Sequence, residues 1–138
     1  MIKKISSVFG GDVSGKRIAV LGLTFKPDTD DMRDSPAISI LPILLEKGAH
    51  IVVYDPKGMD EAKELLPEGI TYEKGPYEAI EQSDAVIILT EWNVFRGMDL
   101  DKIKNSMKDN KFIDLRNIYE PDDMKKSGFD YHCIGRGN

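Results

Sequence analysis

The sequence predicts an α/β domain, doubly wound and Rossmann-like, with a mainly parallel sheet of about five or six strands and helices on both faces. Short apolar runs rich in Val and Ile recur along the chain, segments of helical pattern separate them, and Gly, Pro and Asp punctuate the joints. That alternation implies right-handed crossovers and a sheet buried on both sides. At 138 residues the chain suits one domain, and with 41% hydrophobic and 31% charged residues it has globular composition.

The first eleven residues read as the end of a preceding helix with a Gly10-Gly11 joint, so residues 1–14 are assigned to a linker and 15–138 to the domain. Arg17 to Leu23 (RIAVLGL) is a buried strand. Ser35 offers an N-cap, Pro36 suits the first helical position and Gly48 stops the helix between them. Ala37, Ile38, Ile40, Leu41, Ile43, Leu44 and Leu45 make that helix apolar nearly all round, so it should be mostly buried. Pro42 inside it removes the bond to residue 38, at a cost of ~3 kcal/mol unless the helix kinks, and a kink is expected.

His50 to Asp55 is the next strand, stopped by Pro56, followed by a short helix from Met59 to Leu66 and a short strand from Ile70 to Glu73. Pro76 to Gln82 reads as helix and Asp84 to Thr90 as strand. Leu100 to Met107 is helical with Asp99 as its cap, and Lys111 to Leu115 is a strand. Pro121 to Lys126 gives a helical turn or two, and Tyr131 to Ile134 a last edge strand.

The net charge of −5 argues against a general nucleic-acid binder, which needs clustered Lys and Arg. One Cys excludes an internal disulfide and a Cys-rich zinc site. No apolar run reaches the roughly 18 residues of a spanning helix, and the start lacks a signal peptide's apolar stretch. A soluble cytosolic domain is expected.

Ligands of such a sheet bind at the carboxyl ends of the strands, where strand order reverses. If the first and fourth strands are central neighbours, the loops after Leu23, Thr90 and Leu115 meet there. Thr24 to Pro36 is long for such a link and has neither the GxGxxG nor the GKS/T pattern, so the domain should not grip a dinucleotide in the Rossmann manner. It offers Lys26 and Arg33 near a helix N-terminus, which favours anions. Ion pairing with Asp28, Asp30, Asp31 or Asp34 is the competing reading. Trp92 and Phe95 follow the fourth strand and could stack on a base or sugar, with Trp92 lining a cleft, or simply pack. Arg116 follows the fifth and suits a phosphate or a base edge, unless it pairs with Asp114 or Glu120. Cations from separate loops at one sheet edge suggest an anionic small ligand such as a nucleotide diphosphate.

Other chemistries fit less well. Asp30, Asp31, Asp55, Thr90 and Lys111 echo a phosphorylated receiver domain, but the acid pair lies deep in a loop and Lys111 opens its strand where the receiver Lys closes one. Cys133 and His132 are strand neighbours and point to opposite faces, so a packed Cys is the better reading; His50 reads as structural. No complete catalytic site and no metal site emerge.

Gly22 to Pro36 (GLTFKPDTDDMRDSP) closely resembles the signature that opens the C-terminal, UDP-binding domain of the UDP-glucose/GDP-mannose dehydrogenase family. Tyr54-Asp55-Pro56, Thr90-Glu91-Trp92, Asp114-x-Arg116-Asn117-Ile118-Tyr119 and Tyr131-x-x-Ile134-Gly135-Arg136 follow in the family's order, and TEW and RNIY resemble its UDP-glucose branch. The resemblance implies an NAD-dependent oxidation of the sugar C6 alcohol, twice, to UDP-glucuronate. It implies an N-terminal NAD-binding domain, a central dimerisation segment and a catalytic Cys, all upstream of this domain, so the chain alone should be inactive. Cys133 does not match that Cys. By the same resemblance Phe25, Lys26 and Arg116 contact the UDP-sugar substrate and Arg33 reaches the NAD. The family usually has Gly where Leu115 stands, and a side chain there would narrow the approach to Arg116; Pro42 is a second departure. The start at Met1 fits a fragment cut just after the central helix. The alternative is a stand-alone nucleotide-binding or regulatory module without catalysis.

Overall fold

The computed structural model describes residues 2–24, 26, 28, 31–33 and 35–133. In chain order the elements are α1 (Ile2–Val8), β1 (Arg17–Leu21), α2 (Pro36–Glu46), β2 (His50–Tyr54), α3 (Met59–Leu65), β3 (Thr71–Tyr72) and α4 (Pro76–Ile80). They continue with β4 (Ala85–Ile88), α5 (Asn93–Arg96), α6 (Leu100–Ser106), β5 (Lys111–Asp114), α7 (Pro121–Lys126) and β6 (Asp130–Cys133). Among the described residues the strands form a six-stranded sheet in the order β3-β2-β1-β4-β5-β6, every pair parallel. Strand order reverses between β1 and β4, so the expected switch point is present.

Alternation along each strand feeds two apolar layers. Ile18, Val20, Ile51, Val53, Ile87 and Ile113 face the layer shared with α1, α2 and α3. Ala19, Leu21, Val52, Val86, Ile88 and Phe112 face the layer of α4, α6 and α7. Burying each such Val, Ile or Leu is worth about 1.5–3 kcal/mol, which is why these central strands are apolar on both faces. Ile5 of α1 is fully buried in the first layer, so α1 packs on the body of the domain.

Helix α2 starts as its sequence dictates. Ser35 Oγ accepts from Ala37 N at 3.2 Å and donates to Leu23 O, Pro36 occupies the first turn, and Gly48 follows the helix at φ 93°. The helix runs on through Pro42 to Glu46. Its burial is less even than the composition suggests: Ala37, Ile40, Leu41 and Leu44 are buried, while Ile43 is exposed. Asp99 caps α6 as expected, accepting from Asp101 N and Lys102 N.

The differences from expectation gather at element ends. β1, β4 and β5 stop one or two residues early, because Gly22 turns at φ 94° and side chains take over the next main-chain groups. α4 ends at Ile80, where Gln82 adopts φ 63° and donates its N–H to Ser106 O at 2.8 Å. Asn93–Arg96, expected as loop, forms the short helix α5, which no side chain caps. β6 begins one residue earlier than expected, and Ile134 lies outside the described residues. No helix of the described residues is long and apolar enough to cross a membrane.

Candidate functional site

At the carboxyl edge of the sheet, β1 and β4 close on each other. A Cβ on Gly22 would meet Thr90 Cβ at 2.5 Å and Thr90 N at 2.6 Å, so only glycine lets the two strand ends approach this closely. Thr90 Oγ1 donates to Thr24 O at 2.7 Å, and Thr24 Oγ1 lies 3.0 Å from Lys26 O. The backbone that carries Lys26 is therefore tied to the end of β4. From β2, the fully buried Asp55 holds the same loop: its carboxylate accepts from Leu23 N at 2.7 Å and Thr24 N at 3.1 Å. It also accepts from Lys57 N at 2.9 Å and Gly58 N at 2.7 Å. Those donors satisfy a carboxylate that the fold has buried completely.

The predicted cations divide. Lys26 is exposed at this edge. Arg33 is exposed and clasps Asp31 from its own loop, with Nε to Oδ1 and Nη2 to Oδ2 both at 3.0 Å. That hydrogen bonding, helped by the charges of Arg33 and Lys26, pulls the Asp31 carboxyl down to about 2. The ion-pair reading thus applies to Arg33 in this structure. Phe25 lies outside the described residues, as do Asp30, Asp34 and Arg136.

Arg116 stands on the other side of the β4 end. Its Nε donates to Leu89 O at 2.8 Å and lies 4.0 Å from Glu91 Oε2. Asp114 bonds the main-chain N–H of Arg116 at 3.1 Å. Leu115 is 5% exposed and belongs to the layer under α2, so its side chain is taken up by the core and does not narrow the approach to Arg116. Lys26 and Arg116 thus flank one strand end, joined through Thr24, Thr90 and Leu89.

Trp92 is 6% exposed and packs in the second layer with Phe95, as the packing reading has it. Its Nε1 is buried and meets no hydrogen-bond acceptor among the described residues. The receiver-like set does not assemble, since Lys111 opens β5 at the opposite edge, 3.5 Å from Asp130 and 3.9 Å from Asp109. Cys133 is fully buried while His132 is partly exposed, and His50 is exposed at the start of β2. A groove of about 440 Å³ between α4 and α6 is lined by Tyr77, Glu78, Glu81, Lys102, Asn105 and Ser106, away from all of these loops. Sequence reasoning missed Asp55 and Asp114 as loop organisers. Each precedes a turn whose N–H two residues on it accepts, the Asx-turn habit, and that was the available signal.

A profile described as the UDP-glucose/GDP-mannose dehydrogenase family, UDP binding domain, matches residues 19–121. The chain belongs to this family. It is 52% identical over 136 residues to a UDP-glucose 6-dehydrogenase of Rhizobium meliloti, covering 99% of this chain and 31% of that protein. It is 42% identical to the UDP-glucose 6-dehydrogenase TuaD of Bacillus subtilis, covering 99% of this chain and 29% of the other. A solved UDP-glucose dehydrogenase from Pyrobaculum islandicum superimposes with a TM-score of 0.75 at 29% identity, over 95% of this chain and 28% of that one. An NDP-N-acetyl-D-galactosaminuronic acid dehydrogenase from Methanosarcina mazei gives a TM-score of 0.81 at 28% identity, over 98% of this chain and 28% of that one. The chain therefore spans about three-tenths of the length of the curated relatives it matches.

The residues of this chain do not fit NAD at their own switch point. A Rossmann site needs a Gly-rich turn open to the pyrophosphate and an acid after β2 open to the ribose. Here Gly22 is shut against Thr90, and Asp55, the acid after β2, is fully buried and spent on main-chain N–H groups.

Proposed function

We propose that this chain is the nucleotide-sugar-binding domain of an NAD-dependent UDP-glucose 6-dehydrogenase. In that enzyme the C6 alcohol of UDP-glucose becomes the carboxylate of UDP-glucuronate by two successive hydride transfers. The observation that carries the reading is the pairing of cation-bearing loops on one strand end. Arg116 is anchored to Leu89 O, and the Lys26 backbone is held beside it through Thr24 and Thr90. Two cations on a preformed frame suit a diphosphate, whose binding also fixes where the sugar lies. The 52% identity to a UDP-glucose 6-dehydrogenase supports that substrate over other sugar nucleotides.

In this reading the remaining domains of the enzyme supply what the chain lacks. An N-terminal domain would bind NAD and supply the hydride-accepting chemistry, a central segment would dimerise, and a Cys upstream of this chain would supply the nucleophile. This chain binds and orients the substrate, and Arg33 faces the cofactor side. The working place is the cytosol, and the product serves polysaccharide synthesis.

Calorimetric titration of the 138-residue chain with UDP tests the reading. Lys26→Ala and Arg116→Ala should each weaken binding by about 1.5–3 kcal/mol, the worth of a hydrogen bond to a charged group. No heat from UDP at millimolar concentration would overturn the assignment. NAD-dependent turnover of UDP-glucose by this chain alone would overturn the division of labour.

A further inference from the structure

We propose that Asp114, braced by Tyr131 from β6, is a positioning residue that sets the pose of Arg116 and, through it, the grip on the ligand's phosphate groups. The proposal rests on the reading that Arg116 binds phosphate. Asp114 ends β5 and is fully buried. Oδ1 accepts from Arg116 N at 3.1 Å, and Oδ2 accepts from Ile118 N at 2.8 Å and Tyr119 N at 3.0 Å. The loop is thus wound around one carboxylate, with Asn117 held at φ 56° between bonded neighbours. Asn tolerates this left-handed conformation better than other non-glycine residues, and the bonds on either side fix the turn there.

Tyr131 completes the arrangement. Its hydroxyl lies 2.8 Å from Asp114 Oδ2 and 3.2 Å from Tyr119 O. One proton serves both, and the carboxylate is the stronger acceptor. The guanidinium is fixed by a separate bond, from Nε to Leu89 O at 2.8 Å. Main chain and head group of Arg116 are therefore both anchored before a ligand arrives. An unanchored Arg would lose rotamer freedom on binding, and preorganisation removes that cost.

The test is a double-mutant cycle on UDP affinity, using the 138-residue chain. Tyr131→Phe keeps the ring packed near Phe112 and removes only the hydroxyl; Asp114→Asn keeps the side-chain shape. We expect roughly a threefold to tenfold loss of UDP affinity in Tyr131→Phe, and a larger loss in Asp114→Asn. In an Arg116→Ala background neither should cause a further loss, because the residue they position is gone. The Arg116 Nε–H should exchange faster in Tyr131→Phe, while the Ile113 amide in β5 stays protected. Losses that add fully to that of Arg116→Ala would overturn the proposal, leaving Asp114 a structural residue. So would unchanged UDP affinity in Tyr131→Phe when Arg116→Ala binds weakly. If Arg116→Ala itself binds UDP like the parent chain, the phosphate reading fails, and the positioning role fails with it.

Discussion

Replacing Asp55 by Ala should cost the domain a large share of its stability. The carboxylate is fully buried and accepts main-chain N–H bonds from Leu23, Thr24, Lys57 and Gly58 at 2.7–3.1 Å. Hydrogen bonds to a charged group are worth about 1.5–3 kcal/mol each, and a buried donor left alone costs about 1–3 kcal/mol. The losses do not add, since the four bonds share one acceptor. Lys57 N is only partly buried and can turn to water. Counting the donors buried deepest gives an expected loss of about 4 kcal/mol, against a total domain stability of about 5–15 kcal/mol. Asp55→Asn keeps one carbonyl oxygen but sets an amide NH₂ against N–H donors, so about half that loss is expected. Urea unfolding followed by circular dichroism measures both. A midpoint for Asp55→Ala that translates to less than about 1 kcal/mol would refute the claim that this carboxylate holds the β1 loop.

Gly22→Ala should destabilise by about 3 kcal/mol, because φ 94° strains an L-residue and its Cβ would lie 2.5 Å from Thr90 Cβ; thermal melting checks this. Asp31, held at about 2 by Arg33, contributes stability that is present above its ordinary value near 3.8 and lost as pH falls through about 2. Carboxyl NMR titration should show that midpoint in the parent chain and a return toward the ordinary value in Arg33→Ala. Burial, and next the charge of Asp114, push the Tyr119 phenol well above its ordinary 10.0, with the hydroxyl donating to Phe95 O. Its contribution is full below pH 10.0 and lost as pH climbs past that value toward the raised one, so tyrosinate absorbance should show the Tyr119 ring ionising only as the chain unfolds in base.

The fold could be read in the chain because its signals are local and repeated. RIAVL, HIVVY and KFID are strands because branched apolar residues lie on both faces of a buried parallel sheet, and Ser35-Pro36 and Asp99 mark helix starts by their own chemistry. The switch point followed only on the condition that the first and fourth strands are central neighbours, which the sheet order meets. Strand ends were less legible, because Gly22 turns the chain and Thr90, Asp55 and Asp114 add side-chain bonds across the loops. α5 escaped notice because packing of Phe95, not a cap, holds it. For the site, the types and order of Lys26, Arg33 and Arg116 were visible, and so was an ion pair for Arg33, but not which nearby acid engages it or that Leu115 points into the core. Pairings of that kind depend on which way a loop turns, and no sequence period records it.

Amide chemical-shift mapping of the chain during addition of UDP bears most directly on the assignment of the carboxyl edge. The largest changes should fall on Leu23, Thr24, Lys26, Leu89 to Glu91, Arg116 and Asn117. Changes centred instead on Tyr77, Glu81 and Lys102, in the groove between α4 and α6, would contradict it, as would a spectrum that UDP leaves unmoved.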